Sequence, residues 1–120
     1  MKVLIIDDDA DIRFVAAMSL RAGGAIDVVE ASGGLDGVCK AREEQPDVIL
    51  LDMMMPTMDG SQTIAALRMQ AETATTPVIF LTANTIVAEI QRMKDLGAAG
   101  VLIKPFDPRT LAADVLALLK

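Results

Sequence analysis

Acids, one hydroxyl and one amine recur along this chain, each just past a short apolar run. Asp7 and Asp8 follow Val3-Leu4-Ile5-Ile6, Asp52 follows Val48-Ile49-Leu50-Leu51, Thr82 follows Val78-Ile79-Phe80-Leu81, and Lys104 closes Gly100-Val101-Leu102-Ile103. These types suit phosphoryl chemistry if folding brings them together. Carboxylates are the ligands that Mg²⁺ takes, usually one or two of them with waters and phosphate oxygens. A lysine ammonium is a point charge for a phosphoryl oxygen, a threonine hydroxyl can bond the same group, and an aspartate can form a covalent acyl phosphate. Each residue also has a plainer reading. Asp9 or Asp11 can cap a helix, but two adjacent acids at 7 and 8 exceed what one cap needs. Asp52, set against an apolar run, is costly to bury without a partner, and Lys104 is the ion-pair candidate. Thr82 alone would be a turn residue, and Lys104 alone a solvated one. Met53, Met54 and Met55 read as gap-filling packing residues, and Cys39 as an inert small hydrophobe.

Composition removes whole classes of function. There are 120 residues, 52% hydrophobic, enough for one domain with its own core. Eleven basic against 17 acidic residues leave a net charge of −6, which argues against a general nucleic-acid or anionic-membrane binder. No His is present, so His metal ligands, Ser-His and Cys-His nucleophiles and a phosphohistidine on this chain are excluded. The single Cys leaves no internal disulfide and no Cys cluster for zinc. Trp and Tyr are absent, which removes most of the means of stacking on bases. The apolar run after Met1-Lys2 meets acid at Asp7, too short for a signal peptide or a membrane span. The expectation is a soluble, cytoplasmic protein in a reducing compartment.

The elements that would position these residues alternate in type. Apolar, β-branched runs begin at Val3, Ile26, Val48, Pro77 and Gly100. Between and after them lie helical patterns: Ile12, Val15, Ala16, Met18 and Leu20; a stretch from Gly34; Ile64 and Leu67; Ile86, Ile90, Met93 and Leu96; and Leu111, Val115 and Leu118. Runs apolar on both faces suit parallel strands covered by helices, and right-handed crossovers put helices on both sides. Five strand–helix units predict an α/β, doubly wound sandwich spanning 1–120 as a single domain. In such sheets function gathers outside the carboxyl ends of the strands, where Asp7, Asp8, Asp52, Thr82 and Lys104 all fall. No Gly-rich phosphate loop follows the first strand, which weakens a nucleotide-binding reading.

Taken in order, Asp7-Asp8, Leu51-Asp52-Met53-Met54-Met55-Pro56 with Met58-Asp59-Gly60, Thr82-Ala83 and Lys104-Pro105-Phe106 resemble the receiver domain of bacterial response regulators, the CheY-like family of two-component systems. The resemblance covers essentially the whole chain. It implies a flavodoxin-like (βα)5 fold with strand order 2-1-3-4-5. It also implies Asp52 as phosphoacceptor, with Mg²⁺, or Mn²⁺ in its place, held by Asp7, Asp8, Asp52 and the main-chain carbonyl of Met54. Thr82 and Lys104 would contact the phosphoryl group. The donor would be a sensor histidine kinase or a histidine phosphotransfer protein. The output would be docking of a partner, or self-association, through the fourth helix, fifth strand and fifth helix, with no nucleic acid or membrane bound directly. The chain would be a signalling switch and not a multiple-turnover enzyme, standing alone or cut from a longer protein. The family's Lys-Pro bond is typically cis, so Lys104-Pro105 is expected to be cis. One departure stands out: many receivers have Tyr or Phe three residues before the lysine, as part of the readout, and here that position is Val101.

Two other readings remain open at this level. A haloacid-dehalogenase-type phosphatase would use Asp7, Asp9, Thr82 and Lys104, but it leaves Asp52 idle and lacks a late paired-acid motif. A degenerate receiver would serve only as a docking surface. On the fourth helix, Ile86 and Ile90 stand one turn apart; either they belong to the core with Val87, Met93 and Leu96, or they lie together at the outer edge of a stripe wider than one buried face needs.

Overall fold

The computed structural model describes residues 1–24 and 26–120. Its elements follow the predicted alternation: β1 (Lys2–Ile6), α1 (Ala10–Ala22), β2 (Asp27–Ala31), α2 (Gly34–Glu44), β3 (Val48–Asp52), α3 (Gly60–Arg68), β4 (Val78–Thr82), α4 (Val87–Asp95), β5 (Gly100–Ile103) and α5 (Leu111–Leu118), with a single 3₁₀ turn at Ala71–Thr73. The five strands form one parallel sheet in the order β2-β1-β3-β4-β5, the doubly wound order that the resemblance implied.

Alternation along each strand separates two cores. Leu4, Ile6, Ile49, Leu51, Val78 and Phe80 face α2, α3 and α4, where Ala41, Ile64, Leu67 and Met93 meet them. Val3, Ile5, Val48, Leu50, Ile79 and Leu81 face α1 and α5, where Ala16, Ala17, Leu20, Leu111 and Val115 close the layer. The central strands β3 and β4 are buried at every residue. That is why they read as unbroken apolar runs.

Four expectations are corrected by the structure. Met18 does not join the buried stripe of α1; it lies at 54% exposure beside the similarly exposed Phe14, because Ala16, Ala17 and Leu20 already fill that face. Cys39 is exposed on α2 and not packed as a small hydrophobe. The fourth helix starts one residue later than expected, with Ile86 as its N-cap. Ile86 and Ile90 also part company: Ile86 is exposed, whereas Ile90 packs against the α2–α4 core.

The loops hold the strand ends in place. After β3 the chain returns to α3 so closely that a Cβ on Gly60 would lie 2.7 Å from Met53 Cα and 2.9 Å from Asp52 O; only glycine fits there. Asp59 caps α3 through a capping box with Gln62. The Arg68 guanidinium donates to the carbonyls of Thr73 and Thr76 and ties the α3–β4 connection to the end of α3. Among the described residues, no helix is long and apolar enough to cross a membrane.

Candidate phosphoryl and metal site

The carboxyl ends of β1, β3 and β5 meet at one cleft, lined by Asp7, Asp8, Asp9, Asp52, Met54, Ala83 and Lys104. Asp7 and Asp8 stand just past β1, Asp52 is the last residue of β3, and Lys104 follows β5. Asp7 is fully buried and Asp52 nearly so, while Asp8 is exposed. Carboxylate oxygens of all three lie within 4.8 Å of one another. Like charges so close repel unless a cation sits among them.

Lys104 supplies part of that charge. Its ammonium lies 2.9 Å from Asp7 Oδ2 and 3.3 Å from Asp52 Oδ1. The lysine thus bridges both buried carboxylates, and the anticipated pairing with Asp52 is the longer arm. Its neighbour Pro105 is joined by a cis peptide bond, as expected. Burial alone would lower the Lys104 pKa, but its hydrogen bond to Asp7 and the charges of both aspartates outweigh this and hold it above the ordinary lysine value. Asp7 is further fixed by the Asp9 N–H, which donates to Oδ1 at 2.9 Å.

Asp52 is held differently. Burial first, and then the charge of Asp7, push its carboxyl up to about 6, against the Lys104 charge and the Met54 N–H, which donates to Oδ1 at 3.3 Å. Near neutral pH it is an ionised carboxylate in an unfavourable setting, which a bound cation would relieve. Three carboxylates form an all-oxygen donor set, which fits a hard ion such as Mg²⁺.

The remaining expectations divide. Thr82 ends β4, buried, and its hydroxyl accepts from the Asn84 N–H at 3.0 Å. It lines a neighbouring cleft and not the acid cleft itself. The main chain still couples the two, because the Lys104 N–H donates to the Thr82 carbonyl at 2.7 Å. Met53 and Met55 are buried as packing residues, but Met54 is 76% exposed at the mouth of the acid cleft. Asp9 accepts from the Asp11 and Ile12 N–H groups as the α1 N-cap. One supporting residue had no local sequence signal: Arg13 donates to the Asp7 carbonyl at 2.7 Å and pairs with Glu30 on β2, stiffening the acid turn from behind.

The chain is similar to proteins of known kind. Residues 3–116 match the response regulator receiver domain family. The chain is 40% identical over 119 residues to the DNA-binding dual master transcriptional regulator RpaA of Synechocystis sp., covering 99% of this chain and 49% of that protein. It is 36% identical over 118 residues to Protein PilH of Pseudomonas aeruginosa, covering 98% and 97%. The solved structure of chemotaxis protein CheY4 of Vibrio cholerae matches with a TM-score of 0.90 at 37% identity, over 98% of this chain and 97% of that one.

The chain belongs to the response regulator receiver domain family of two-component signalling. It spans about half the length of several of the curated relatives it matches, RpaA among them, and nearly all of PilH.

Proposed function

We propose that residues 1–120 act as a single receiver domain in which Asp52 accepts a phosphoryl group from a phosphohistidine on a sensor kinase or phosphotransfer protein. The observation that carries this is the convergence of Asp7, Asp8 and Asp52 at the mouth of one cleft, with Lys104 bonded to two of them. A carboxylate oxygen of Asp52 forms the new P–O bond as the P–N bond to the donor imidazole breaks. The electron pair returns to the ring, which leaves neutral once its other nitrogen carries a proton.

Asp7, Asp8, Asp52 and the Met54 carbonyl would hold the Mg²⁺, for which Mn²⁺ can substitute. Bound there, the ion supplies neutralisation of phosphoryl charge, without which one anion does not approach another. Lys104 gives up its bridging position and takes a phosphoryl oxygen as a point charge. The Thr82 hydroxyl turns from the Asn84 N–H toward the same group. The Met54 N–H, already aimed at Asp52, orients the nucleophile.

The chain then works as a cytoplasmic signalling switch, turning over its own phosphoaspartate and no external substrate. Its output is docking or self-association on the face of α4, β5 and α5, where Ile86 and Val87 are exposed. With acetyl phosphate and Mg²⁺, intact mass should show one added phosphoryl group on the protein and none on Asp52→Asn. Undiminished phosphorylation of the Asn variant would remove Asp52 from the role.

A further inference from the structure

Next to the acid cleft lies a second one of about 380 Å³, bounded by Met53, Thr82, Asn84, Glu89, Arg92 and Met93. Met54 and Ala83 line both clefts, so only the rim formed by the two loops after β3 and β4 separates them. Met53 and Met93 are buried and give the second cleft an apolar floor. Its one cation is Arg92, which has no part in the chemistry above. The guanidinium is held by Glu89, one turn back on α4, with Nε 3.3 Å from Glu89 Oε2 and the arginine side chain 52% exposed. An exposed pair of this spacing is a weak restraint.

Arg92 lies on the side of α4 that lines this second cleft, across the shared Met54–Ala83 rim from the acid cleft. Its charge helps lower the pKa of Asp59, the α3 N-cap, behind the Gln62 and Ser61 hydrogen bonds that do most of that work. A phosphoryl group on Asp52 would bring roughly two negative charges and three strong acceptor oxygens to a cluster in which Lys104 already serves two carboxylates. A guanidinium fork suits phosphoryl oxygens better than it suits one exposed carboxylate.

We propose, on the reading that Asp52 is the phosphoacceptor, that Arg92 is a positioning residue of the phosphorylated state. It exchanges Glu89 for a phosphoryl oxygen reached across the Met54–Ala83 rim and so draws the first turns of α4 toward the site. The exchange couples the site to the exposed Ile86–Val87 end of α4 without an aromatic side chain on β5, where this chain has the half-buried Val101 packed against the core.

The test uses the whole chain with Mg²⁺ and beryllofluoride, a non-hydrolysing mimic of an acyl phosphate. Affinity and α4 amide shifts are read by NMR for the wild type, Arg92→Gln, Arg92→Lys and Glu89→Gln, each first shown to melt as the wild type does. Arg92→Gln should bind the mimic about tenfold more weakly, as loss of a charge-assisted contact implies, and should lose the α4 shifts. Arg92→Lys should recover part of the affinity, because charge survives without the fork. Glu89→Gln should bind more tightly, because it releases the guanidinium. The wild-type affinity should fall more steeply with salt than that of Arg92→Gln. Equal affinity of Arg92→Gln and wild type would overturn the proposal. So would a loss in Glu89→Gln matching that in Arg92→Gln, which would make the pair a helix-surface contact only. If the wild type itself takes neither the mimic nor a phosphoryl group at Asp52, the phosphoacceptor reading fails first and Arg92 falls with it.

Discussion

Asp52 and Lys104 divide the electrostatic work unequally. The lysine satisfies two carboxylates at once, yet burial and the neighbouring Asp7 still push Asp52 up to about 6 from 3.8. Between those values the folded, metal-free protein binds more protons than the unfolded chain, so its stability falls as pH rises through that window. The favourable contribution is fully present below about pH 4 and lost above about 6. Two pK units correspond to roughly 2–3 kcal/mol. Urea unfolding without divalent ions should therefore give Asp52→Asn a lead over wild type that grows from pH 4 to pH 7.5. A lead that is constant across that range would show that the carboxyl is not strained.

Short elements with committed ends hold the site. Asp59 caps α3 while Gly60 lets the chain pass 2.7 Å from Met53 Cα, so the backbone after Asp52 has little freedom. The start of α4 is the opposite case: Ile86 caps it without a side-chain hydrogen bond, and Val87 is 80% exposed. Val87→Asp should change stability by no more than about 0.5 kcal/mol, since an exposed carboxylate at a helix N-terminus is tolerated or favoured. Ile90→Asp, one turn on, puts a charge against the α2–α4 core and should cost more than about 1 kcal/mol. Paired thermal melts check the contrast. If Val87 carries the output, its variant should also lose partner binding while Asp52 still takes up phosphate.

At the scale of the whole molecule, the acid site draws on segments nearly the length of the chain apart: Lys104 reaches back 97 residues to Asp7. Unfolding scatters the three carboxylates, so a divalent ion binds the native state alone and stabilises it by mass action. Mg²⁺ at about a hundred times its dissociation constant should add roughly 2.7 kcal/mol. The increment should shrink as pH falls toward 6, because protons compete at Asp52. Asp8→Ala should reduce it at any pH. Melting curves with and without Mg²⁺ at pH 7.5 and pH 6 test all three points, and a wild type unmoved by millimolar Mg²⁺ would contradict the ion site.

The amino-acid sequence alone was enough to place five strands, five covering helices and an acid, hydroxyl or amine at four strand ends. These follow from patterns within one element: apolar runs of strand length, helical spacing, and the residue that follows each run. Asp9 as a cap was legible for the same reason, since a cap answers only to its own helix. What the tertiary structure alone decided depends on meetings between distant segments. It made Asp7 the closer partner of Lys104, left Met54 exposed while Met53 and Met55 are buried, turned Ile90 inward and Ile86 outward, and placed Arg13 behind the acid turn. Local periodicity says that a helix has an apolar side, but where that side ends depends on which neighbour fills the space first. The charge on a buried carboxylate likewise depends on every group that folding brings within a few ångströms of it.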